Sequence, residues 1–429
     1  MNKRPGRSVI CCCLAGLAVA GLGGCGAGTG SAGATHSAAG ATHSAVGGSH
    51  AVSRAVLVTA LRGDLTHYLS DRGRAEHMSA TGLTVTFRGS EPAISLGAGT
   101  TRYGGGGPVS PDALWQIGSN TKAFTAVMLL QLEAEGKLSI TDTLGRWLPQ
   151  YPAWRDVTIK QLLNMTSGIP DPGNDDDLPG YQAFLSAIAA GADLSAAQVV
   201  SYAGAATTGD VWLNSNTNYV LAQLIIEKVT HDSYGDQLAR RIAIPLGLRS
   251  LCFAPSTCPA ADAAQMPAGY FFDTAVADHE PPNPLASLIG KAVPPLNLTE
   301  YQGAAAIVSS LQDMTAWDRA LYQGQLLPPV QQRQLESLVS ITTGQPIART
   351  TPADMLGYGL GVIHETTPSL GTLWAYEGDT LGYRVLHLYF PRSGLIIALA
   401  ANSSPVPSAD DLFTLAVSVY QTLQKAGLS

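Results

Sequence analysis

Charge is scarce in this 429-residue chain: Asp, Glu, Lys and Arg together make up 13% of it, and it contains no run of Lys or Arg. The balance is acidic, 25 Lys and Arg against 32 Asp and Glu, for a formal net charge of −7. A nucleic-acid ligand requires the opposite, a basic surface that replaces counterions on phosphates, so no nucleic-acid partner is expected. A phosphate loop is missing as well, because the glycines between Tyr103 and Pro108 have neither the spacing nor the following lysine of one. Long apolar runs are short too: the stretch Ser8 to Gly21 falls below the ~20 residues of a membrane-spanning helix. Cysteine is rare outside the first 25 residues. Cys11, Cys12, Cys13 and Cys25 lie there, leaving Cys252 and Cys258, which have no further ligands nearby for a zinc site. No metal or cofactor is expected. What the chain does have is 45% hydrophobic residues, enough to bury a large core as one large domain or two intimately joined ones.

The N-terminus begins with Lys3, Arg4 and Arg7, continues through the apolar run, and ends in Leu22-Gly23-Gly24-Cys25. This is the layout of an export signal. Small residues before a cysteine resemble the bacterial lipoprotein cleavage box, which implies a signal peptide over 1–24 and Cys25 as the lipidated first residue. The protein is then expected to be exported and lipid-anchored to the bacterial cell envelope, on the periplasmic or outer face of a membrane. Removing Lys3, Arg4 and Arg7, with no acid before Cys25, takes the charge from −7 to −10. Residues 25–52 are mostly Gly, Ala, Ser and Thr, with Gly33-Ala34-Thr35-His36-Ser37-Ala38 repeated at Gly40-Ala41-Thr42-His43-Ser44-Ala45. Such a segment buries too little apolar surface to offset its ordering entropy, so it is expected to be a flexible tether. His36, His43 and His50 offer metal ligands but no preformed geometry. In an exported protein, oxidising conditions allow Cys252 and Cys258 to close a small loop disulfide.

The chain is organised around Trp115-Gln116-Ile117-Gly118-Ser119-Asn120-Thr121-Lys122-Ala123-Phe124. Residues three apart on a helix share a face, so the Ser119 hydroxyl and the Lys122 amine fall within hydrogen-bonding reach. A serine hydroxyl is a poor nucleophile until a neighbour takes its proton, and an uncharged lysine amine can take it. The helix opened by this pair carries Phe124, Val127, Met128, Leu130 and Leu132, reads as buried core, and is expected to stop at Gly136.

Ser-x-x-Lys, then Leu129 to Asp142, then Val157 to Pro170 with its Met165-Thr166-Ser167-Gly168-Ile169-Pro170, closely resemble the penicillin-recognising serine hydrolases. The branch is that of class C beta-lactamases, D-alanyl-D-alanine carboxypeptidases and related esterases, and the resemblance runs from about Leu83 to Ser404. It implies an α+β fold of the serine beta-lactamase / DD-peptidase type, an antiparallel sheet flanked by helices plus a helical region. The domain is expected over 53–425, with the helical region at about 141–301 inserted in the sheet domain. By resemblance, Ser119 is the nucleophile, Lys122 its base, and the backbone amides of Ser119 and Asp379 the oxyanion hole. The second family motif, Tyr-x-Asn, aligns with Asn214-Ser215-Asn216: Asn216 is retained and is expected to orient the substrate amide, whereas the tyrosine is replaced by Asn214, whose amide is no general base. Tyr219, in the apolar helix that follows, reads as a packing residue. The third motif, His or Lys two before a glycine, aligns with Tyr376-Glu377-Gly378, so substrate-binding residues Tyr376, Gly378 and Asp379 remain without a cation. Arg384 is left with two readings, a carboxylate partner at the site or a strand residue pointing to solvent.

The remaining pattern is periodic. Val56 to Tyr68 has helical spacing, Leu83 to Phe87 alternates like a half-buried strand with Ile94 to Thr100 as partner, and Tyr358 to Val362 reads as the start of a strand. Val385 to Tyr389 and Leu395 to Ala400 read as two strands joined by Pro391-Arg392-Ser393-Gly394, with a closing helix after Asp410. The expected activity is serine acyl transfer on an ester, D-amino peptide or beta-lactam. The expected substrate is a small molecule or a peptidoglycan-derived fragment. The alternative is a catalytically weak or inactive envelope protein that binds peptidoglycan fragments.

Overall fold

The structure is a computed structural model that describes residues 53–89, 91–205, 207–209, 211–406 and 412–429. The signal segment, Cys25 and the histidine-bearing tether lie outside the described residues. Strands β1 (Ala80–Thr86), β2 (Ile94–Arg102) and β3 (Gly105–Pro108) follow the first helix. Short strands β4 (Leu114–Gln116), β5 (Cys252–Phe253), β6 (Tyr270–Phe272) and β7 (Ile307–Ser310) punctuate the middle of the chain. The C-terminal part supplies β8 (Leu338–Ser340), β9 (Pro346–Ile347), β10 (Leu356–Tyr358), β11 (Ile363–Thr367) and β12 (Gly371–Asp379). It ends with β13 (Arg384–Phe390), β14 (Leu395–Ala401) and β15 (Ser403–Pro405).

Ten of these form one antiparallel sheet in the order β3-β2-β1-β14-β13-β12-β11-β10-β8-β9. The two ends of the chain meet at its centre, where Leu83 of β1 lies opposite Leu399 of β14. Each face of the sheet carries its own core. On one face, Leu57, Leu61 and Leu65 of the helix Arg54–Arg72, spaced four apart on a single stripe, pack with Leu415 and Val419 of the helix Leu412–Lys425 over Leu386, Leu388 and Leu399. Ser53 caps the first of these helices by accepting the Val56 N–H. On the opposite face lie the helices Thr121–Ala134 and Leu311–Tyr322, joined by Phe124 stacked on Trp317 at 3.7 Å between centroids. Such a pair adds about 0.5–1.5 kcal/mol beyond its buried area.

The helix Thr121–Ala134 is buried from Thr121 through Leu130 because helices also cover its outer side, among them Asn216–Thr230. A helix apolar all round needs that cover. It is this sandwiched position that puts its N-terminus in a cleft. Cys252 and Cys258 are joined by a disulfide beside β5.

Three local details differ from the sequence pattern. Ser119 stands on a 3-10 turn, Gly118–Asn120, and the α-helix begins only at Thr121. Gly118, at φ +54°, starts that turn in a conformation that helical spacing does not register. Tyr358 ends β10 instead of opening a strand; Gly361 then turns at φ +78° under the Lys122 carbonyl, where a β-carbon would sit 2.8 Å from that oxygen. Arg384 points neither to the cleft nor to solvent. It shares the sheet face of Leu386 and Leu388, is 1% exposed, and donates from Nε to the Ser403 carbonyl at 2.8 Å and from Nη2 to Glu76 at 2.5 Å. Alternation along β13 explains this, since even-numbered residues there face the first helix and Glu76 follows it.

Candidate active site

Ser119 and Lys122 are both buried, and Lys122 Nζ donates to Ser119 Oγ at 2.7 Å. The same amine donates to Asn216 Oδ1 at 2.8 Å and approaches the Ala304 carbonyl at 3.3 Å. Three segments far apart in sequence therefore converge on one nitrogen. An amine held this way has little rotamer freedom left to lose, which is what a proton-transfer group needs.

Asn216 owes its position to a residue not singled out in the sequence. It is the first residue of the helix Asn216–Thr230, whose N-cap Ser215 makes no side-chain cap. Asp171 supplies the acceptor instead: its Oδ2 takes the Asn216 N–H at 2.8 Å while Oδ1 takes the Gly173 N–H at 2.8 Å. A carboxylate at a helix N-terminus satisfies an orphan donor and faces the positive end of the dipole. Thr217 reinforces the contact by donating to the Pro170 carbonyl at 2.8 Å. Burial pushes the Asp171 carboxyl up, against the opposing pull of the Asn216 and Gly173 N–H groups and the Lys122 charge. The only signal for it in the sequence was its place directly after Ser167-Gly168-Ile169-Pro170.

The other wall is β12. A β-carbon on Gly378 would lie 2.6 Å from the Ser119 nitrogen, and one on Gly118 would lie 2.5 Å from the Asp379 nitrogen. The turn and the strand thus cross in backbone contact, which only glycine at both points allows. This crossing brings the Ser119 and Asp379 amides to one place, the arrangement a developing oxyanion requires.

Tyr376 sits two residues before Gly378 and so on the same sheet face. It is 4% exposed, and its hydroxyl lies 3.2 Å from that of Tyr358, which is itself edge-on to Trp212 at 5.5 Å. Tyr358 is a buried partner of Tyr376 that sequence reading treated only as part of a strand. Asn214, at the second-motif position, has its Oδ1 buried without a hydrogen-bond partner among the described residues. Tyr219 is placed as packing: its hydroxyl donates to the Leu163 carbonyl at 2.6 Å, its ring lies 5.6 Å from Lys122 Nζ, and burial pushes its pKa well up. A phenol so occupied has no proton-accepting role to offer.

Among the described residues, no group of three His, Cys, Asp or Glu is arranged to hold a metal ion. The chemistry available is a serine hydroxyl with an amine at hydrogen-bond distance, an amide beside both, and two converging backbone N–H groups. That is the equipment of acyl transfer.

A family model described as Beta-lactamase matches residues 72–421. The chain belongs to the beta-lactamase family. Within this serine-hydrolase family it is similar to "Penicillin-binding protein 4*" of Bacillus subtilis, 27% identical over 290 residues, covering 66% of this chain and 59% of that protein. It is also similar to "Protein flp" of Staphylococcus aureus, 33% identical over 150 residues, covering 34% of this chain and 29% of that one. The match thus spans less than two thirds of either relative's length. Among solved structures, a D-stereospecific amidohydrolase from Streptomyces sp. aligns with TM-score 0.64 and 25% identity over 84% of this chain and 98% of its own. The fold is shared with D-amino acid amidase from Ochrobactrum anthropi, TM-score 0.67 and 21% identity over 86% and 99% of the two chains.

Proposed function

We propose that this beta-lactamase-family protein is an exported, lipid-anchored serine hydrolase that acts through an acyl-enzyme on Ser119. The observation that carries this assignment is the 2.7 Å contact between Lys122 Nζ and Ser119 Oγ in a buried cleft, with Asn216 at 2.8 Å from the same nitrogen. In the first step Ser119 Oγ bonds to the substrate carbonyl carbon and its proton passes to Lys122 Nζ, which accepts it in the uncharged amine form. The carbonyl oxygen takes the negative charge between the amides of Ser119 and Asp379. Collapse of this intermediate breaks the bond to the leaving group, which departs with a proton, and water then hydrolyses the serine ester to release the acid. Asn216 orients the substrate amide or ester.

The substrate we assign is a short, uncharged ester. Burying a substrate carboxylate requires a cationic partner, yet Tyr376 stands where relatives carry His or Lys, and Arg384 is paired with Glu76 on the opposite face of the sheet. A poor amine leaving group needs a proton donor in addition, and Asn214 offers none. The second reading, a weakly active or inactive protein that binds peptidoglycan fragments, draws on Asn214 and Tyr376 standing where relatives carry the motif tyrosine and cation.

The test is labelling of the full-length protein with a fluorophosphonate and turnover of p-nitrophenyl acetate, each with and without Ser119→Ala. Labelling and hydrolysis that disappear in the variant are expected. Hydrolysis unchanged in the variant, or none in the wild type, would favour the binding protein. Envelope anchoring is tested separately by Cys25→Ser, which should move the protein from the detergent phase to the aqueous phase.

A further inference from the structure

Behind the nucleophile, on the side away from the cleft, lies a hydrogen-bond chain that the acyl-transfer chemistry does not use. Asn120, the residue after Ser119, donates from Nδ2 to the Ile117 carbonyl at 2.8 Å and to the Val385 carbonyl at 2.8 Å. Both amide hydrogens are thereby committed, so its Oδ1 is an acceptor, and His387 Nδ1 lies 2.7 Å from it. The proton of that bond therefore belongs to His387 Nδ1. The other ring nitrogen, Nε2, is then the acceptor for the Tyr322 hydroxyl at 2.8 Å. Asn120 and His387 are 3% and 2% exposed, so water is no substitute for either bond.

The chain bears on the oxyanion site through the sheet. Val385, which Asn120 grips, is paired with Gly378 across β12 and β13, and Gly378 is the point where β12 touches the Ser119 nitrogen. The Asn120 amide thus ties the turn carrying one oxyanion donor to the strand pair carrying the other. Without His387 the amide of Asn120 keeps a buried oxygen with no donor, and rotation of the side chain to find one releases Ile117 or Val385.

We propose that His387 is a positioning residue that, through Asn120, sets the spacing of the Ser119 and Asp379 amides. This rests on the acyl-transfer assignment for Ser119. His387 touches no reacting atom. Its loss is expected to lower the rate of acylation and leave substrate affinity nearly unchanged, because small displacements of a transition-state donor cost rate more than ground-state binding.

Two isosteric changes separate positioning from general structural support. In His387→Asn the side-chain NH2 falls where Nδ1 was and still reaches Asn120, while the Tyr322 contact is lost. In His387→Gln the polar end falls where Nε2 was, so the Tyr322 contact is kept and Asn120 is abandoned. Full-length protein is to be compared for p-nitrophenyl acetate turnover, fluorophosphonate labelling rate and thermal melting. We expect kcat and labelling rate to fall by about 10- to 100-fold in His387→Gln with KM within about threefold, and to stay within about threefold of wild type in His387→Asn. In an Asn120→Ala background the Gln change should have no further effect on rate. Equal losses in the two His387 variants, or full additivity with Asn120→Ala, would overturn the positioning role. Should His387→Gln fail to fold, the comparison of His387→Asn with Asn120→Ala decides, the first staying active and the second slow. A wild type with no Ser119-dependent turnover or labelling would instead remove the acyl-transfer assignment itself, an outcome distinct from an active enzyme indifferent to His387.

Discussion

The two walls of the cleft carry different side-chain chemistry. On the helical wall, Ser119, Lys122 and Asn216 form a closed set of short contacts, and Asp171 seats Asn216 on its helix. On the strand wall, Gly118 and Gly378 keep the backbone crossing, but the side chain at the third-motif position is a tyrosine bonded to another tyrosine. One wall holds the serine, amine and amide of the proposed acyl transfer; the other has, at the third-motif position, a buried tyrosine bonded to Tyr358. On the proposed function, nucleophile chemistry and substrate recognition are therefore separable parts of this site.

That separation is broken most severely from the helical wall. Lys122→Met preserves length and apolar packing but removes the amine, and leaves Asn216 Oδ1 without its donor. Turnover of p-nitrophenyl acetate should fall by about 10³-fold or more, comparable to Ser119→Ala, and the double variant should be no worse than either single one, since the two act as a unit. Steady-state kinetics of the three proteins check this. Retained activity in Lys122→Met would transfer the base role elsewhere and dissolve the contrast between the walls.

A smaller loss is expected one residue further out. Asp171→Ala removes the acceptor for the Asn216 N–H and the carboxylate at that helix N-terminus. We expect ester turnover to drop by about 10- to 100-fold and unfolding free energy by about 1–2 kcal/mol, the usual cost of a lost cap at a buried position. Urea titration beside the kinetics distinguishes the two effects. Unaltered turnover with lowered stability would make Asp171 a cap alone.

Legibility in the sequence followed the same division. Ser119 and Lys122 stand three residues apart and Asn216 opens an apolar helix, so local spacing and the family's motifs point to them together. The layered antiparallel fold was readable from the same text, with strand limits displaced by a few residues at β1 and β2. Arg384, Tyr358 and Asp171 were not readable in this way. Which face of β13 an arginine takes is decided by Glu76, 308 residues away, and Tyr358 becomes a partner of Tyr376 only where β10 comes within reach of β12. Asn120 meets His387 across 267 positions of sequence. Contacts of that range are a property of sheet register, on which helical and strand periodicities are silent.

The strand wall can be sharpened by restoring what it lacks. Asn214→Tyr with Tyr376→His returns both motif side chains. Turnover of a D-Ala-D-Ala peptide or a cephalosporin should rise by about tenfold or more relative to turnover of p-nitrophenyl acetate, and the double change should exceed the product of the single ones if the two groups serve one relay. Efficient carboxypeptidase or beta-lactamase activity in the wild type would show that the strand wall recognises carboxylates after all.

The mildest test concerns two buried titratable groups behind the strand wall, where His387 Nδ1 and Asp318 Oδ1 lie 3.8 Å apart. Burial pushes the His387 imidazole down to about 3 from 6.5 and pushes the Asp318 carboxyl well above 3.8, so burial favours the uncharged form of each. Their effects on stability have opposite sign. Between pH 6.5 and 3.8 the unfolded histidine holds a proton that the folded one lacks, so its share of stability is lost as pH falls. Above pH 3.8 the folded Asp318, held protonated by burial, keeps a proton that the unfolded one lacks, so its share is lost as pH rises. Each changes stability by up to about 1.4 kcal/mol per pH unit, and in the wild type they oppose each other. His387→Asn should therefore tilt the dependence of unfolding free energy on pH by up to about 1.4 kcal/mol per unit toward greater stability in acid, and Asp318→Asn by a similar amount the other way. Denaturant unfolding at pH 6, 5 and 4 measures both slopes. Unchanged slopes in both variants would show that neither group departs from its ordinary protonation in the fold. A neutral pair and an ion pair hold one proton in common and give the same slopes, so the slopes report the burial of each group and not the charge state of the pair.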